Sequence, residues 1–145
     1  VTGRASRDRG ARAERAVVTY LRSRGFDQAR RHHGADGRAP GDIMGVPGIC
    51  IEVKDRASSA WPTWREQLLT ECPPGDIAVL VRRVRGVGDV GRWDAEIPER
   101  DWWWLVYLVG TAPPVVKDCP RTGERWVRTT VTEIVDLLTD KDNQP

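Results

Sequence analysis

The sequence predicts one mixed α/β domain, a central β-sheet flanked by helices. Three observations carry this. The chain has 145 residues, 39% hydrophobic and 30% charged, the size and balance of a single domain with a real core. No internal repeat or linker divides it. Helical segments with start and stop signals alternate with short β-rich runs, in the order α-β-β-α-β-β-β-α.

The chain reads as a single domain over 1–145, of which residues 1–9 read as a mobile basic arm. A helix follows over 11–24, ended by Gly25. Residues 30–41 are rich in Gly and charge and read as a loop. Strands are expected at 42–45 and 49–54, joined by the turn Gly45-Val46-Pro47-Gly48 as an antiparallel hairpin. Residues 62–72 suit a second helix, with Pro62 in its first turn, Pro73-Pro74 beyond its end, and Thr63 and Glu66 at capping-box spacing. Residues 76–84 read as a buried strand, and 85–100 as a loop or hairpin. The run at 102–109, Trp-Trp-Trp-Leu-Val-Tyr-Leu-Val, fits a strand or a short buried helix by periodicity; its β-rich composition and Gly110 favour the strand. A weaker strand is expected at 126–130. A last helix is expected over 131–140, with Thr130 and Glu133 at capping-box spacing.

Composition narrows the function classes. No apolar run approaches the roughly 18 residues that span a bilayer. No basic-then-apolar leader marks export, so an intracellular protein is expected. Cys50, Cys72 and Cys119 include no CxxC pair, which excludes a zinc ribbon and, being odd in number, argues against a disulfide framework. They read as ordinary thiols. The net charge of +2 is uneven: residues 1–40 hold ten Arg and four acidic residues. That third of the chain suits a polyanion partner, although an Arg-rich solvated surface has the same composition.

Three acidic residues stand out. In Ile49-Cys50-Ile51-Glu52-Val53-Lys54, alternation places Ile49, Ile51 and Val53 on one face and Cys50, Glu52 and Lys54 on the other. Glu52 and Lys54 then lie roughly 7 Å apart. A solvent-facing edge strand with a weak ion pair would look the same. Asp42 begins the partner strand, so the hairpin brings it toward Glu52 and Lys54. Two carboxylates held together repel unless a proton or cation lies between them, and a hard divalent ion suits oxygen ligands. Glu14 is the third. It shares the helical stripe of Val17, Val18 and Leu21, so it either points inward toward that pair or sits at the boundary on a neighbouring Arg.

Glu14, then Gly41-Asp42-Ile43, then Ile51-Glu52-Val53-Lys54 resembles the PD-(D/E)XK nuclease superfamily. The similarity takes in Gly10 to Arg15, Gly25-Phe26, Arg30 and Gln67, over about residues 10–84. It looks most like the archaeal-type Holliday junction resolvases and their phage-encoded relatives. Gly41 stands where many members carry Pro, and residues 30–41 lack the Ser common before the catalytic Asp in that branch. The resemblance implies a restriction-endonuclease-like fold and Mg²⁺-dependent phosphodiester hydrolysis, with Mn²⁺ able to substitute. It implies that Asp42, Glu52 and the carbonyl of Val53 hold the metal, with Glu14 as a direct or water-mediated ligand. Lys54 would stabilise the phosphate and orient the attacking water, and Gln67 would orient the nucleophile or a ligand. It further implies a homodimer that nicks four-way DNA junctions in pairs, with flaps, ends or linear duplex as other substrates of the superfamily. A catalytically silent DNA-binding module is the alternative outside enzymes; the intact Asp42, Glu52 and Lys54 count against it.

Phosphate contacts are expected from the basic arm, Arg12, Arg15, Arg30, Arg31, His32 and His33. Seven tryptophans also need accounting for. Trp61, Trp64, Leu68 and Cys72 form one helical stripe. Trp102 to Trp104, as a strand, would leave one sheet face to be covered by a subunit contact or by the last helix.

Overall fold

The computed structural model describes residues 3–33, 40–57, 60–107, 116–118 and 123–142. Its elements are α1 (Gly3–Ser23), β1 (Arg30–Arg31), β2 (Ile43–Met44), β3 (Ile49–Lys54), α2 (Trp61–Glu71), β4 (Ile77–Arg82), β5 (Asp94–Pro98), α3 (Glu99–Tyr107), β6 (Val116–Asp118), β7 (Arg125–Thr130) and α4 (Val131–Asp142). Seven strands form one sheet in the order β1-β2-β3-β4-β5-β7-β6. β3 and β4 are parallel, with α2 between them in the chain, and the other pairs are antiparallel. The mixed α/β fold follows from this arrangement.

Strand alternation divides the core. Ile51, Val53, Val79, Val81, Ala95, Ile97 and Val127 face the helices α1 and α4. Cys50, Ala78, Leu80 and Trp126 face α2, which contributes Trp61, Trp64 and Leu68. The expected tryptophan stripe is therefore the buried side of α2, with Trp61 and Trp64 meeting edge to face at 5.8 Å.

Several boundaries and one element differ from expectation. Residues 3–9 are not an arm but the first two turns of α1. Three of these seven residues are Arg and one is Ala, both strong helix formers, so the stretch extends the amphipathic segment behind it. α1 ends as the glycine predicted. Gly25 has φ +97°, and the amides of Gly25 and Phe26 donate to the carbonyls of Arg22 and Leu21, the paired bonds of a Schellman cap. α2 starts at Trp61 behind Ala60, which makes no side-chain cap bond, so Thr63 and Glu66 lie inside the helix rather than capping it. At α4 the amide of Glu133 does donate to Thr130 Oγ1 (3.3 Å).

The run at 102–109 is helical through Tyr107, not a strand; 108–110 lie outside the described residues. Helix spacing lets Trp102, Leu105 and Val106 bury together while Trp103 and Trp104 stay about half exposed. A strand would have split those three residues between two faces. Glu99 and Asp101 occupy the first turn, where the helix dipole favours acids. Before it, residues 94–98 form β5 inside the stretch read as loop or hairpin. Arg30-Arg31, within the expected loop, form the two-residue edge strand β1. Among the described residues, no helix is long and apolar enough to cross a membrane.

Candidate carboxylate site

The site sits at the C-terminal ends of the parallel pair β3 and β4, the end of an open α/β sheet where crevices form. Its geometry begins with the hairpin. Ile43 is opposite Ile51, and the amide of Asp42 donates to the carbonyl of Ile51 (2.8 Å). Asp42 therefore stands just outside β2, level with the end of β3. Its Oδ2 accepts the amide of Val53 (2.8 Å). A strand residue directs its N–H and C=O to the same side, so the carbonyl of Val53 also points toward Asp42, past the last pair of β2.

Gly41 makes this approach possible. Its φ is +74°, and a Cβ there would lie 2.5 Å from the carbonyl oxygen of Ile51. That oxygen is the one that holds the amide of Asp42. Proline, fixed near φ −65°, does not fit this backbone, which accounts physically for glycine before Asp42. Gly41→Ala is expected to cost at least about 1–2 kcal/mol from the left-handed backbone alone, and to displace Asp42. Chemical denaturation beside a Gly25→Ala control, whose Cβ meets nothing within 4 Å, separates strain from the clash.

Glu52 is buried on the α2 side of β3, and its Oε1 accepts Lys54 Nζ at 2.5 Å. Lys54 is next to Arg82 of β4 in register, and Arg82 pairs with Asp94 of β5 (2.7 Å). Burial, then the charge of Glu52, pushes the Asp42 carboxyl up to about 7. The Val53 amide and Lys54 pull it the other way, and Glu14 adds to the rise. The charge of Glu52 is thus one of the causes that keep a proton on Asp42.

Glu14 projects from α1 toward this field, but its carboxylate is held by Arg31. Nε and Nη2 of Arg31 both lie 2.7 Å from Glu14 Oε2. The partner is an Arg, though one on β1 rather than a neighbour on the helix. Arg31 is thereby committed inside the protein and is not a free phosphate contact. Among the described residues, no three His, Cys, Asp or Glu side chains gather as a metal-binding group. The donors that fit a divalent ion are the two carboxylates of Asp42 and Glu52 with the carbonyl of Val53, an all-oxygen set suited to Mg²⁺ or Mn²⁺.

The remaining candidates scatter. Gln67 lies on the exposed side of α2, where its amide donates to Glu71 (3.1 Å), and no contact joins it to Asp42 or Glu52. Arg12, Arg15 and Arg30 are exposed, as is His33. The amide of His32 donates to the carbonyl of Asp42 (2.8 Å), while its ring Nε2 is buried with no hydrogen bond. Cys50 is buried and Cys72 half-buried; burial raises both thiols above their ordinary value, so neither is a reactive thiolate. Cys119 lies outside the described residues.

Sequence reasoning missed a second polar cluster. Glu96 of β5 is fully buried. It takes both Nε (2.5 Å) and Nη2 (2.7 Å) of Arg65 from α2, and Nη2 of Arg128 from β7 at 2.8 Å. The Trp61 ring lies against Arg128 (4.5 Å), Arg82 (5.3 Å) and Arg65 (6.0 Å). The only trace in the sequence was alternation in Asp94-Ala95-Glu96-Ile97, masked by two acids. Comparison with protein-family models, with curated proteins and with solved structures finds no match to this chain.

Proposed function

We propose that the protein is a divalent-metal-dependent endonuclease of the restriction-endonuclease-like kind, acting on branched DNA and, among branched substrates, on four-way junctions. The observation that carries this reading is the pair Asp42 and Glu52, two carboxylates held at one strand end with Lys54 beside them and the proton of Asp42 held to about pH 7. A plain nucleic-acid-binding surface has no use for buried carboxylates facing its phosphates, because they repel the ligand.

Asp42, Glu52 and the Val53 carbonyl would hold the cation, which when bound acidifies the attacking water and offsets charge developing on the phosphate. Val53 N–H fixes the rotamer of Asp42, and Gly41 admits the backbone that places it. Lys54 changes partner between Glu52 and the phosphate, acting as a point charge on the reacting group. Glu14, clamped by Arg31, keeps negative potential over Asp42 and so favours cation entry. Arg12, Arg15, Arg30 and His33 supply exposed groups for the phosphate backbone.

Paired nicking needs two sites related by a two-fold axis, so the working form in this reading is a homodimer. The exposed rings of Trp103 and Trp104 on α3 offer apolar surface for that contact. Sedimentation of wild type and of Trp103→Glu/Trp104→Glu tests it: a wild-type dimer that the double variant makes monomeric supports the contact, and a wild-type monomer contradicts it.

The test of function compares a synthetic four-way junction, a flap, a linear duplex and a single strand, each with Mg²⁺ and with EDTA. Symmetric paired nicks in the junction, absent with EDTA, are expected. Preference for flaps or ends keeps the metal centre but removes junction resolution. Binding with no metal-dependent cut leaves a DNA-binding module.

A further inference from the structure

Across α1 from Glu14 lies a separate groove of about 340 Å³ between the helix and the β4–β5 connection. Ala13, Ala16 and Trp93 form its floor, Gly88 its lip, and Arg12 and Arg83 its sides. Small floor residues let a ligand backbone come close, and the two guanidiniums make the walls cationic. Arg9, one turn before Arg12, continues the same helical stripe.

These cations are underused. Arg12 is exposed and makes no hydrogen bond or ion pair among the described residues. The Nε atoms of Arg9 and Arg83 are buried without a hydrogen-bond acceptor. Asp55, itself almost fully buried, takes Nη1 of Arg83 at 3.0 Å and fixes that side chain. Asp89, at the far side of the loop, is occupied by the amide of Gly91 (2.9 Å). Asp55 offsets the charge of Arg83, so the uncompensated positive charge lining the groove is that of Arg12.

Its place relative to the carboxylates is set by the backbone. The amide of Arg83 donates to the carbonyl of Lys54 (2.9 Å), so the groove opens at the same end of β3 and β4 as Asp42 and Glu52. The groove lies on the α1 face of the sheet and Glu52 and Lys54 lie on the α2 face, with Lys54-Asp55 at the strand end between them.

We propose that this groove is a second anion site that takes a backbone phosphate of the same DNA strand whose reacting phosphate lies at Asp42 and Glu52. The assignment rests on the nuclease reading for the identity of the strand. The groove would set which phosphate reaches the carboxylates, by holding a neighbour at a fixed offset. Guanidinium recognition of phosphate supplies the affinity, without base readout.

The test is binding in EDTA, which needs no cleavage. Fluorescence anisotropy of a labelled four-way junction and a labelled single strand gives the slope of log affinity against log salt. Arg12→Gln is expected to lower that slope by about one and to weaken binding to both probes. Gly88→Glu adds a carboxylate at the lip, where a Cβ meets nothing within 4 Å, and is expected to weaken binding tenfold or more without loss of folding by circular dichroism. Arg125→Gln, on the opposite part of the sheet, is expected to keep the wild-type slope. Wild-type slopes in both groove variants, with Mg²⁺-dependent cleavage present, overturn the groove alone. Lowered slopes in a protein that never cleaves keep the groove and remove the nuclease. No DNA binding by wild type overturns both.

Discussion

Asp42→Asn is expected to stabilise the metal-free protein at pH 8 while reducing cleavage at least a thousandfold. The Asp42 carboxyl titrates at about 7 in the fold, against roughly 3.9 in an unfolded chain. Between those values the folded state holds the extra proton, so stability falls as pH rises, by up to about 1.4 kcal/mol per unit. The penalty is absent below about pH 4 and complete above about pH 7. Asparagine carries no charge and still offers an oxygen to the Val53 amide. The variant should therefore exceed wild type in urea stability by about 1–3 kcal/mol at pH 8 and match it near pH 4. Millimolar Mn²⁺ should stabilise wild type and leave the variant unmoved, since binding to the native state alone shifts unfolding by mass action. Cation affinity should also rise with pH up to about 7 and then level, because the ion displaces the Asp42 proton. A variant less stable than wild type at pH 8 would show that the Asp42 charge is already compensated by Lys54 and the Val53 amide.

The largest loss of stability is expected from Glu96→Ala. Glu96 has no exposed surface and joins α2 to β5 and β7 through Arg65 and Arg128. Its removal leaves the Arg65 guanidinium, itself almost fully buried, without its carboxylate. Breaking one partner of such a buried set costs about 3–5 kcal/mol, whereas replacing the whole set with apolar residues of similar volume is often neutral or better. Urea denaturation of Glu96→Ala, and of Glu96→Leu combined with Arg65→Met and Arg128→Leu, tests both halves. A loss below about 1 kcal/mol for the single variant would mean that water or a counter-ion reaches Arg65.

The two clusters show what the sequence makes legible. The Asp42–Glu52 approach was readable because Gly45 and Gly48, both at positive φ, close a short turn that fixes hairpin register. Alternation in a strand as short as β3 then assigned faces without ambiguity. The start of α1, by contrast, was hidden by its charge: seven residues of Arg, Ala, Ser, Asp and Gly bury little and read as an arm. α3 was hidden by composition, since three consecutive tryptophans erase periodicity and only the tertiary burial of Trp102, Leu105 and Val106 selects the helix. The grip of Arg31 on Glu14 spans 17 residues and depends on a two-residue edge strand, which no local signal marks. Glu96 was missed because a buried carboxylate on a strand looks, in sequence, like a solvent-facing one. Its partners arrive from 31 residues before and 32 after.

Asp42, Glu52 and Lys54 are proposed to form a centre for metal-dependent phosphodiester hydrolysis. Single-turnover cleavage of a four-way junction at saturating protein tests it most directly, with wild type, Glu52→Gln and Lys54→Ala each run in Mg²⁺ and in EDTA. The predicted result is strand scission by wild type in Mg²⁺ alone, reduced at least a thousandfold in both variants while junction binding persists. Scission that survives EDTA, or that either variant carries out at the wild-type rate, would contradict it.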